Sequence, residues 1–356
     1  MPTPLRIASF NVENLFTRAK ILNLSDHSVV TDALAKVGEL DALLRKPAYT
    51  PATKAKILAQ YKQLSVYITV REDRDKLFDR AKSKVVASGA GDWDGAIEFK
   101  RAKFSEMARE NTAQVLKKVN ADIACIVEAE DRPSLWDFNR ELLDSKKFPY
   151  AMLIDGNDQR GIDVGVLSKR AIRSIQTHIY DGPANSRTFS RDCLRVELEW
   201  TKTKSIHVLC NHFKSKSGGD TATDARRKRQ AERVAEILKD YDLKKDLVIV
   251  AGDLNDTPNR PPLQPLLGLA NLFDVLALQF PNVADRWTYH YKKHEQIDYL
   301  LVSKPLRDAF VRAGVERRGI YQLSKLTNGA ETEFSTVTKH TDAASDHGAV
   351  WAEFAL

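Results

Sequence analysis

The densest chemistry in the chain sits where an apolar run stops, at Leu247–Asp256 (LVIVAGDLND). Asp253 and Asn255 are two apart, so in extended backbone both side chains face one side, where a carboxylate and an amide can address one phosphate, metal ion or water. An Asx-rich turn after a core strand would use the same residues, because short Asp and Asn side chains bond their own backbone. The pattern recurs. Leu5–Phe10 (LRIASF) runs into Asn11 and Glu13, again an amide and a carboxylate two apart. Ala121–Val127 (ADIACIV) runs into Glu128, Glu130 and Asp131. Three acids there repel one another unless solvent or a cation offsets the charge, and a hard cation such as Mg²⁺ needs few carboxylates because it retains waters. An acidic helix N-terminus ahead of Pro133 is the alternative.

Imidazoles fall at equivalent places. Ser205–Cys210 (SIHVLC) leads to His212, which could give or take a proton near neutral pH or serve as an ordinary structural histidine. Asp298 heads the apolar run Tyr299–Val302, where burial demands a partner, and Asp346-His347 stands before the closing run Ala349–Phe354. A carboxylate can fix an imidazole tautomer and support its charged form, which makes Asp298 and His347 natural partners. Trp287–Tyr291 brings three aromatics and His290 just ahead of Asp298. Cations lie at further strand ends. Arg160 is expected at the mouth of a hairpin and Arg191 near the start of a strand. Lys214 and Lys216 open the stretch Lys214–Arg229, which holds six Lys or Arg against two Asp. That stretch, with Gly218-Gly219 inside, suits phosphate-backbone contact or a solvated helix face.

Positioning these groups falls to short apolar strands. Leu5–Phe10, Ala121–Val127, Tyr150–Ile154, Ile162–Leu167, Thr188–Trp200, Ser205–Cys210 and Leu247–Ala251 read as strands. The segments around 150–154 and 162–167 form a hairpin across 155–161. Amphipathic helices are expected over Phe104–Val119, with Phe104, Met107, Ala108, Val115 and Leu116 inward, and over Ala225–Leu238. Pro258–Leu269 reads as a proline-rich loop and Leu272–Gln279 as a short helix or strand. Residues of about 21–103 read as an insertion of helices. Asp32–Leu44 places Leu34, Val37, Leu40, Leu43 and Leu44 on one face; Lys54–Val70 does so with Ile57, Leu58, Tyr61, Leu64 and Tyr67; Arg71–Lys84 reads as a solvated helix face. Trp93, in the loop Gly89–Gly95, is expected to anchor that loop. The chain 1–356 thus reads as a single domain carrying a helical insertion.

At 356 residues and 43% hydrophobic composition a large core is affordable, and the net charge of +7 points only weakly to polyanionic partners, because 48 acidic residues offset 55 basic ones. Cys125, Cys193 and Cys210 are odd in number and each lies in or beside an apolar run, so they read as reduced core thiols. No apolar run approaches a membrane span. The chain as given reads as soluble and cytoplasmic, with secretion left open because a removed leader would leave the same sequence. Oligomeric state is not legible.

If the strands headed by Asn11, Glu128, His212, Asp253, Asp298 and His347 share a sheet, one rim carries at least four acids, two amides and two histidines. The ordered set SFNVEN, DIACIVEAE, RGIDVGVLSK, NHFKSK, GDLND, QIDYLLVS and SDHGAV resembles the endonuclease/exonuclease/phosphatase superfamily, over residues 5–20 and about 104–356. The resemblance implies an α/β, deoxyribonuclease I-like fold: a four-layer α/β sandwich of two mainly antiparallel sheets packed face to face, with helices outside. It implies a Mg²⁺-dependent hydrolase of phosphate esters, with Mn²⁺ or Ca²⁺ as alternative ions. On that pattern Glu128 is the principal metal carboxylate, with Asn11 beside it and Glu13 and Asp346 as further metal-site residues. Asp253 and Asn255 orient the attacking water and hold the phosphate, His347 faces the scissile phosphate with Asp298 orienting it, and His212 is the second histidine. Arg160, Arg191, Lys214 and Lys216 are the substrate-binding cations. Nucleic acid is the expected substrate; the alternatives are a phosphomonoesterase or phospholipid diesterase of inositol phosphate or sphingomyelin type, or a non-catalytic nucleic-acid-binding module. Cys193 stands where the deoxyribonuclease branch has proline after its Arg-acid pair, and Val127 where glutamine often precedes the glutamate. The insertion either caps the substrate groove or shields a sheet edge.

Overall fold

The computed structural model describes residues 3–15, 17–19, 27–72, 75–103, 106–158, 160–216 and 220–356. Phe104, Gln159, Gly218 and Gly219, which entered the expectations above, lie outside them. In chain order the elements are β1 (Pro4–Leu15), β2 (Thr17–Ala19), α1 (His27–Leu44), α2 (Pro51–Leu64), β3 (Ile68–Glu72), β4 (Gly95–Phe99), β5 (Arg101–Lys103), α3 (Glu106–Val119), β6 (Ile123–Ala129), α4 (Arg132–Leu142), β7 (Tyr150–Leu153), β8 (Asp163–Ser168), β9 (Ile172–Gln176) and β10 (Cys193–Glu199). They continue with β11 (Ser205–His212), α5 (Asp220–Ile237), β12 (Leu247–Asp253), β13 (Leu272–Asp274), β14 (Tyr289–His290), β15 (His294–Glu295), β16 (Asp298–Ser303), β17 (Phe310–Glu316) and β18 (Ala349–Ala355), joined by short helical turns. The chain divides into two compact units, Met1–Leu15 with Ser105–Leu356, and Phe16–Phe104.

Among the described residues the larger unit holds two six-stranded sheets, ordered β17-β18-β1-β6-β8-β7 and β13-β16-β12-β11-β10-β9. Each is antiparallel except for one central pair, β1 with β6 and β11 with β12. Period-two alternation explains how they stack. Leu5 and Ile7 of β1, Ile123, Cys125 and Val127 of β6, Val208 and Cys210 of β11, and Ile249 and Ala251 of β12 share one core between the sheets. The opposite faces carry separate cores. Ala8, Phe10, Ala124 and Ile126 pack on α3 and α4 residues such as Leu116 and Phe138, while Leu209, Val248 and Val250 pack on Val234 and Ile237 of α5. Helix, sheet, sheet and helix make the four-layer α/β sandwich that the resemblance implied. Cys125, Cys193 and Cys210 are free and buried. No described helix is long and apolar enough to cross a membrane.

Several boundaries differ from the sequence reading. β1 continues through Asn11 to Leu15, so its polar residues lie on the strand and not after it. Thr188–Asp192 is not strand. Asp192 there accepts from the Thr177 hydroxyl and the His178 amide at 2.8 and 2.7 Å, so side-chain bonds fix this segment in place of a ladder. α5 starts at Asp220. Leu34 on α1 and Met107 on α3 are exposed, and α3 buries Ala113 and Val119 instead of Met107. Residues 261–267 form helical turns, and Leu272–Gln279 is a strand followed by a helix.

The smaller unit has its own core, built from Val37, Leu40 and Leu44 of α1, Ile57, Tyr61 and Leu64 of α2, and Ile68 and Val70 of β3. α2 stops at Leu64, and Ile68–Val70 becomes strand, as β-branched residues favour. β3 pairs with β4, and no helix forms in the described part of Arg71–Lys84, because Phe78 and Val85 form a β-bridge there. Trp93 does anchor its loop: Nε1 donates to the Tyr49 hydroxyl at 3.0 Å. The insertion is therefore mixed α and β.

Candidate active site

The inward rows of the sandwich end in polar residues at one edge. Leu5, Ile7 and Ser9 lead to Asn11; Ile206, Val208 and Cys210 to His212; Leu247, Ile249 and Ala251 to Asp253. β16 runs the other way, so its inward row begins at that edge with Asp298. Register then places His212 beside Asp253, and Asp253 beside Asp298, on neighbouring strands. Each polar group continues an apolar row by a single two-residue step.

Glu128 reaches the same edge by breaking the alternation. Val127 faces the inter-sheet core and would send residue 128 to the helix side, but a bulge resets the phase and puts Ala129 on the helix side. β1 is irregular at the same level, between Asn11 and Leu15. Glu13, Glu128 and Asn255 all have left-handed backbone, with φ of 45°, 68° and 54°. Such conformations store strain of about 1–3 kcal/mol each and cluster at functional sites. Gly252, φ 134°, is required: a Cβ there would lie 1.9 Å from the Asn211 carbonyl oxygen.

Asn11, Glu13, Glu128, His212, Asp253 and Asn255 line one cavity of about 640 Å³, together with Asp346, His347, Arg160, Arg191 and Lys216. Asn11 joins the sheets: its Nδ2 donates to Asp253 Oδ2 at 3.2 Å and Glu128 Oε1 at 3.5 Å, and its Oδ1 accepts from the Glu13 amide at 3.1 Å. Asn255 Nδ2 donates to Asp253 Oδ2 and the Phe213 carbonyl, both at 3.1 Å, so this amide braces Asp253. His347 Nδ1 lies 2.8 Å from Asp298 Oδ2, the pairing expected from sequence. Thr288 Oγ1 donates to the same oxygen at 2.6 Å. Ser345 Oγ donates to the Asn11 carbonyl at 2.7 Å and accepts from the His347 amide at 3.0 Å, fastening the last loop to β1. The Asp346 amide donates to Glu13 Oε2 at 2.9 Å. His212 Nε2 sits 3.7 Å from Glu128 Oε1 and 3.8 Å from Asp253 Oδ2.

Burial sets the protonation states. It pushes Asp253 up to about 7, helped by Asp298, and Glu13 up to about 7, helped by Asp346. It also raises Glu128. His212 is driven well below its ordinary range by burial and then by Arg191, and so stays neutral. Burial opposes charge on His347 too, but the Asp298 carboxylate overrides it and holds the imidazole protonated well above the usual range. The edge thus holds buried carboxyl groups whose ionisation burial opposes, a cost that a hard divalent cation would offset. Two groups of donors lie at this edge, and among the described residues only the second has its ligand atoms gathered closely enough for one ion. Glu13, Glu128 and Asp346 line the cavity. Asp253, Asp298 and His347 place one ligand atom each within 4.8 Å of one another. In the second group Asp298 is already bonded to His347 through Oδ2 and does not reach the cavity lining.

The expected cations divide. Arg160 grips both oxygens of Asp158, at 3.0 and 2.9 Å, and Arg191 Nε lies 3.0 Å from the same carboxylate, so two cations share one acid at the wall. Lys216 lines the cavity and pairs with Glu295 at 2.9 Å. Lys214 is not in the lining; its Nζ turns to Ser215. Arg227 is fully buried against Asp224 and Asp256, tying α5 to the end of β12, so that part of the basic stretch is structural. Of the acids at 128–131, Asp131 caps α4 by accepting from the Ser134 amide at 2.7 Å, and only Glu128 lines the cavity. Sequence reasoning missed Tyr289, Tyr291, Lys292, Lys293 and Glu295 as lining residues. The aromatic spacing at 287–291 was the signal available.

A family model described as "Endonuclease/Exonuclease/phosphatase family" matches residues 101–347. No curated protein sequence matches the chain. Among solved structures, an endonuclease/exonuclease/phosphatase family protein from Bacteroides thetaiotaomicron superimposes with TM-score 0.50 at 15% identity, covering 99% of this chain and 98% of that one. Truncated TDP2 from Caenorhabditis elegans gives 0.49 at 18% identity, covering 70% and 91%. Beta toxin from Staphylococcus aureus gives 0.48 at 20%, covering 69% and 92%.

Proposed function

Because the chain belongs to the endonuclease/exonuclease/phosphatase family, we propose that it is a divalent-cation-dependent phosphodiesterase whose substrate is nucleic acid. One observation carries the reading: residues from both sheets, spread from Asn11 to His347, meet in a single cavity with cationic side chains in its wall. Asp253, braced by Asn11 and Asn255 and ionising at about 7, is suited to take a proton from an attacking water. His347, kept charged by Asp298, offers its Nε2 proton to a non-bridging oxygen or to the departing oxygen. Neutral His212 supplies a hydrogen bond without adding charge. Lys216 and Arg160 draw neighbouring phosphates.

Glu13, Glu128 and Asp346 would hold the cation, with Asn11 fixing Glu128; Mg²⁺ is the expected ion, and Mn²⁺ or Ca²⁺ would suit the same oxygens. When bound there it supplies neutralisation of charge on the phosphate. The test is to incubate the protein with plasmid and with RNA, with Mg²⁺ or with EDTA, beside an inositol phosphate and sphingomyelin. Cleavage of nucleic acid that EDTA abolishes is expected. Turnover confined to the monoester or the lipid would overturn the substrate assignment, and no turnover of any would overturn the activity.

A further inference from the structure

The cavity is bordered by a hairpin that none of these roles uses. β14 and β15 pair Tyr289 with Glu295 and His290 with His294, leaving Tyr291, Lys292 and Lys293 as the connecting loop. Its stem is anchored. The Gly348 amide donates to the Thr288 carbonyl at 2.6 Å, Tyr289 forms a β-bridge with His347, and Trp287 stacks on His294 with centroids 4.2 Å apart. The Arg317 guanidinium lies 4.3 Å from the Trp287 ring centroid. The tip is not anchored in this way. Tyr291 is 73% exposed, and the Lys292 ammonium lies 5.6 Å from its ring and forms no ion pair among the described residues. Lys293 and Lys216 share the single carboxylate of Glu295, at 3.3 and 2.9 Å, so this rim keeps a net positive charge.

An exposed ring flanked by ammonium groups, on a fixed stem rooted at His347, suits a nucleotide: the ring takes the face of a base and the cations take adjacent phosphates. A lipid surface fits less well, because the tip carries no aliphatic side chain to enter an acyl layer. We propose that the 289–295 hairpin is a subsite for an unstacked base of single-stranded nucleic acid, next to the phosphate held in the cavity. The inference rests on the phosphodiesterase reading above. It requires a single strand, since a base inside a duplex has both faces covered.

The test is fluorescence anisotropy in a His347→Asn background with Mg²⁺, using a labelled oligothymidylate of about twelve nucleotides, a span set by typical single-strand site sizes. Tyr291→Ala is expected to weaken binding by about tenfold or more, Tyr291→Phe to stay within about twofold, and an abasic strand to bind the parent as weakly as the normal strand binds Tyr291→Ala. The matching duplex should bind about tenfold more weakly than the single strand. Equal binding by Tyr291→Ala, equal binding of the abasic strand, or no binding by a folded parent would overturn the subsite. So would phosphatidylcholine vesicles that bind in a Tyr291-dependent way and are not competed by the strand. Hydrolysis of bis(p-nitrophenyl) phosphate by the wild-type protein needs no strand and reports separately on the phosphodiesterase reading.

Discussion

Replacing Asp298 by Asn keeps the side chain's shape and removes its charge. Asp298 is fully buried, holds His347 Nδ1 at 2.8 Å and accepts from Thr288 at 2.6 Å. Packing should therefore survive while the imidazolium loses its counter-ion. A positioned general acid contributes about 10²- to 10⁴-fold to the rate, so a His347 that loses the carboxylate orienting it and supporting its charge should lower kcat by about that factor. KM should move little, because Asp298 is not among the cavity-lining residues. The pH profile carries a second sign. In the wild-type protein Asp298 keeps His347 protonated well above its usual range, so activity that needs the proton persists to high pH. Without the carboxylate, burial is left to lower the imidazole, and the alkaline limb should move to lower pH. The assay is bis(p-nitrophenyl) phosphate hydrolysis with saturating Mg²⁺ over about pH 5 to 9, a span that brackets the imidazole range. A kcat within about tenfold of wild type with an unmoved alkaline limb would refute the role assigned to the pair.

Glu128→Gln should abolish Mg²⁺-dependent turnover and weaken Mn²⁺ binding measured by calorimetry about tenfold or more, without loss of the thermal transition, because one charge leaves the proposed donor set. Gly252→Ala should destabilise by more than about 3 kcal/mol in denaturant titration, since its Cβ meets the Asn211 carbonyl oxygen at 1.9 Å and φ is 134°; a loss below about 1 kcal/mol would contradict the packing of β11 on β12. Asp163 accepts from the Gly156 amide at 2.8 Å, and burial pushes its carboxyl from 3.8 to about 7. The unfolded chain releases this proton above about pH 4 and the folded chain only near pH 7, so the group removes stability progressively over that window. Asp163→Asn should therefore match wild type below pH 4 and melt higher at pH 8, by about 1–2 kcal/mol after allowing for solvent screening; equal melting temperatures at both pH values would refute it.

Much of the sandwich was readable because its signals are local. Apolar runs such as Leu247–Ala251 carry their own strand identity, and the two-residue period alone puts Asp253 at the end of an inward row. The pairing of His347 with Asp298 was accessible by chemistry, since a charge at the head of a buried strand needs a partner. What stayed hidden depends on neighbours. The bulge that aims Glu128 into the cavity exists only in the register of β6 against β8. The capture of Arg160 and Arg191 by Asp158, and of Arg227 by Asp256, requires contacts between segments that no spacing rule joins. Ile68–Val70 looked like the end of a helix because its period fitted, and the ladder with β4 decided otherwise. The 287–291 aromatics were noticed, but only the fold brings their hairpin to the cavity.

Acids carried by β1, β6 and the loop before β18 are proposed to hold one divalent ion beside His347 and beside Asp253 of the opposite sheet. Crystals soaked in Mn²⁺ and measured at the manganese edge test it directly. The anomalous peak should lie against the carboxylates of Glu13, Glu128 and Asp346, with the bond between His347 and Asp298 intact. A peak enclosed by Asp253, Asp298 and His347, or none at this edge of the sheets at saturating Mn²⁺, would contradict it.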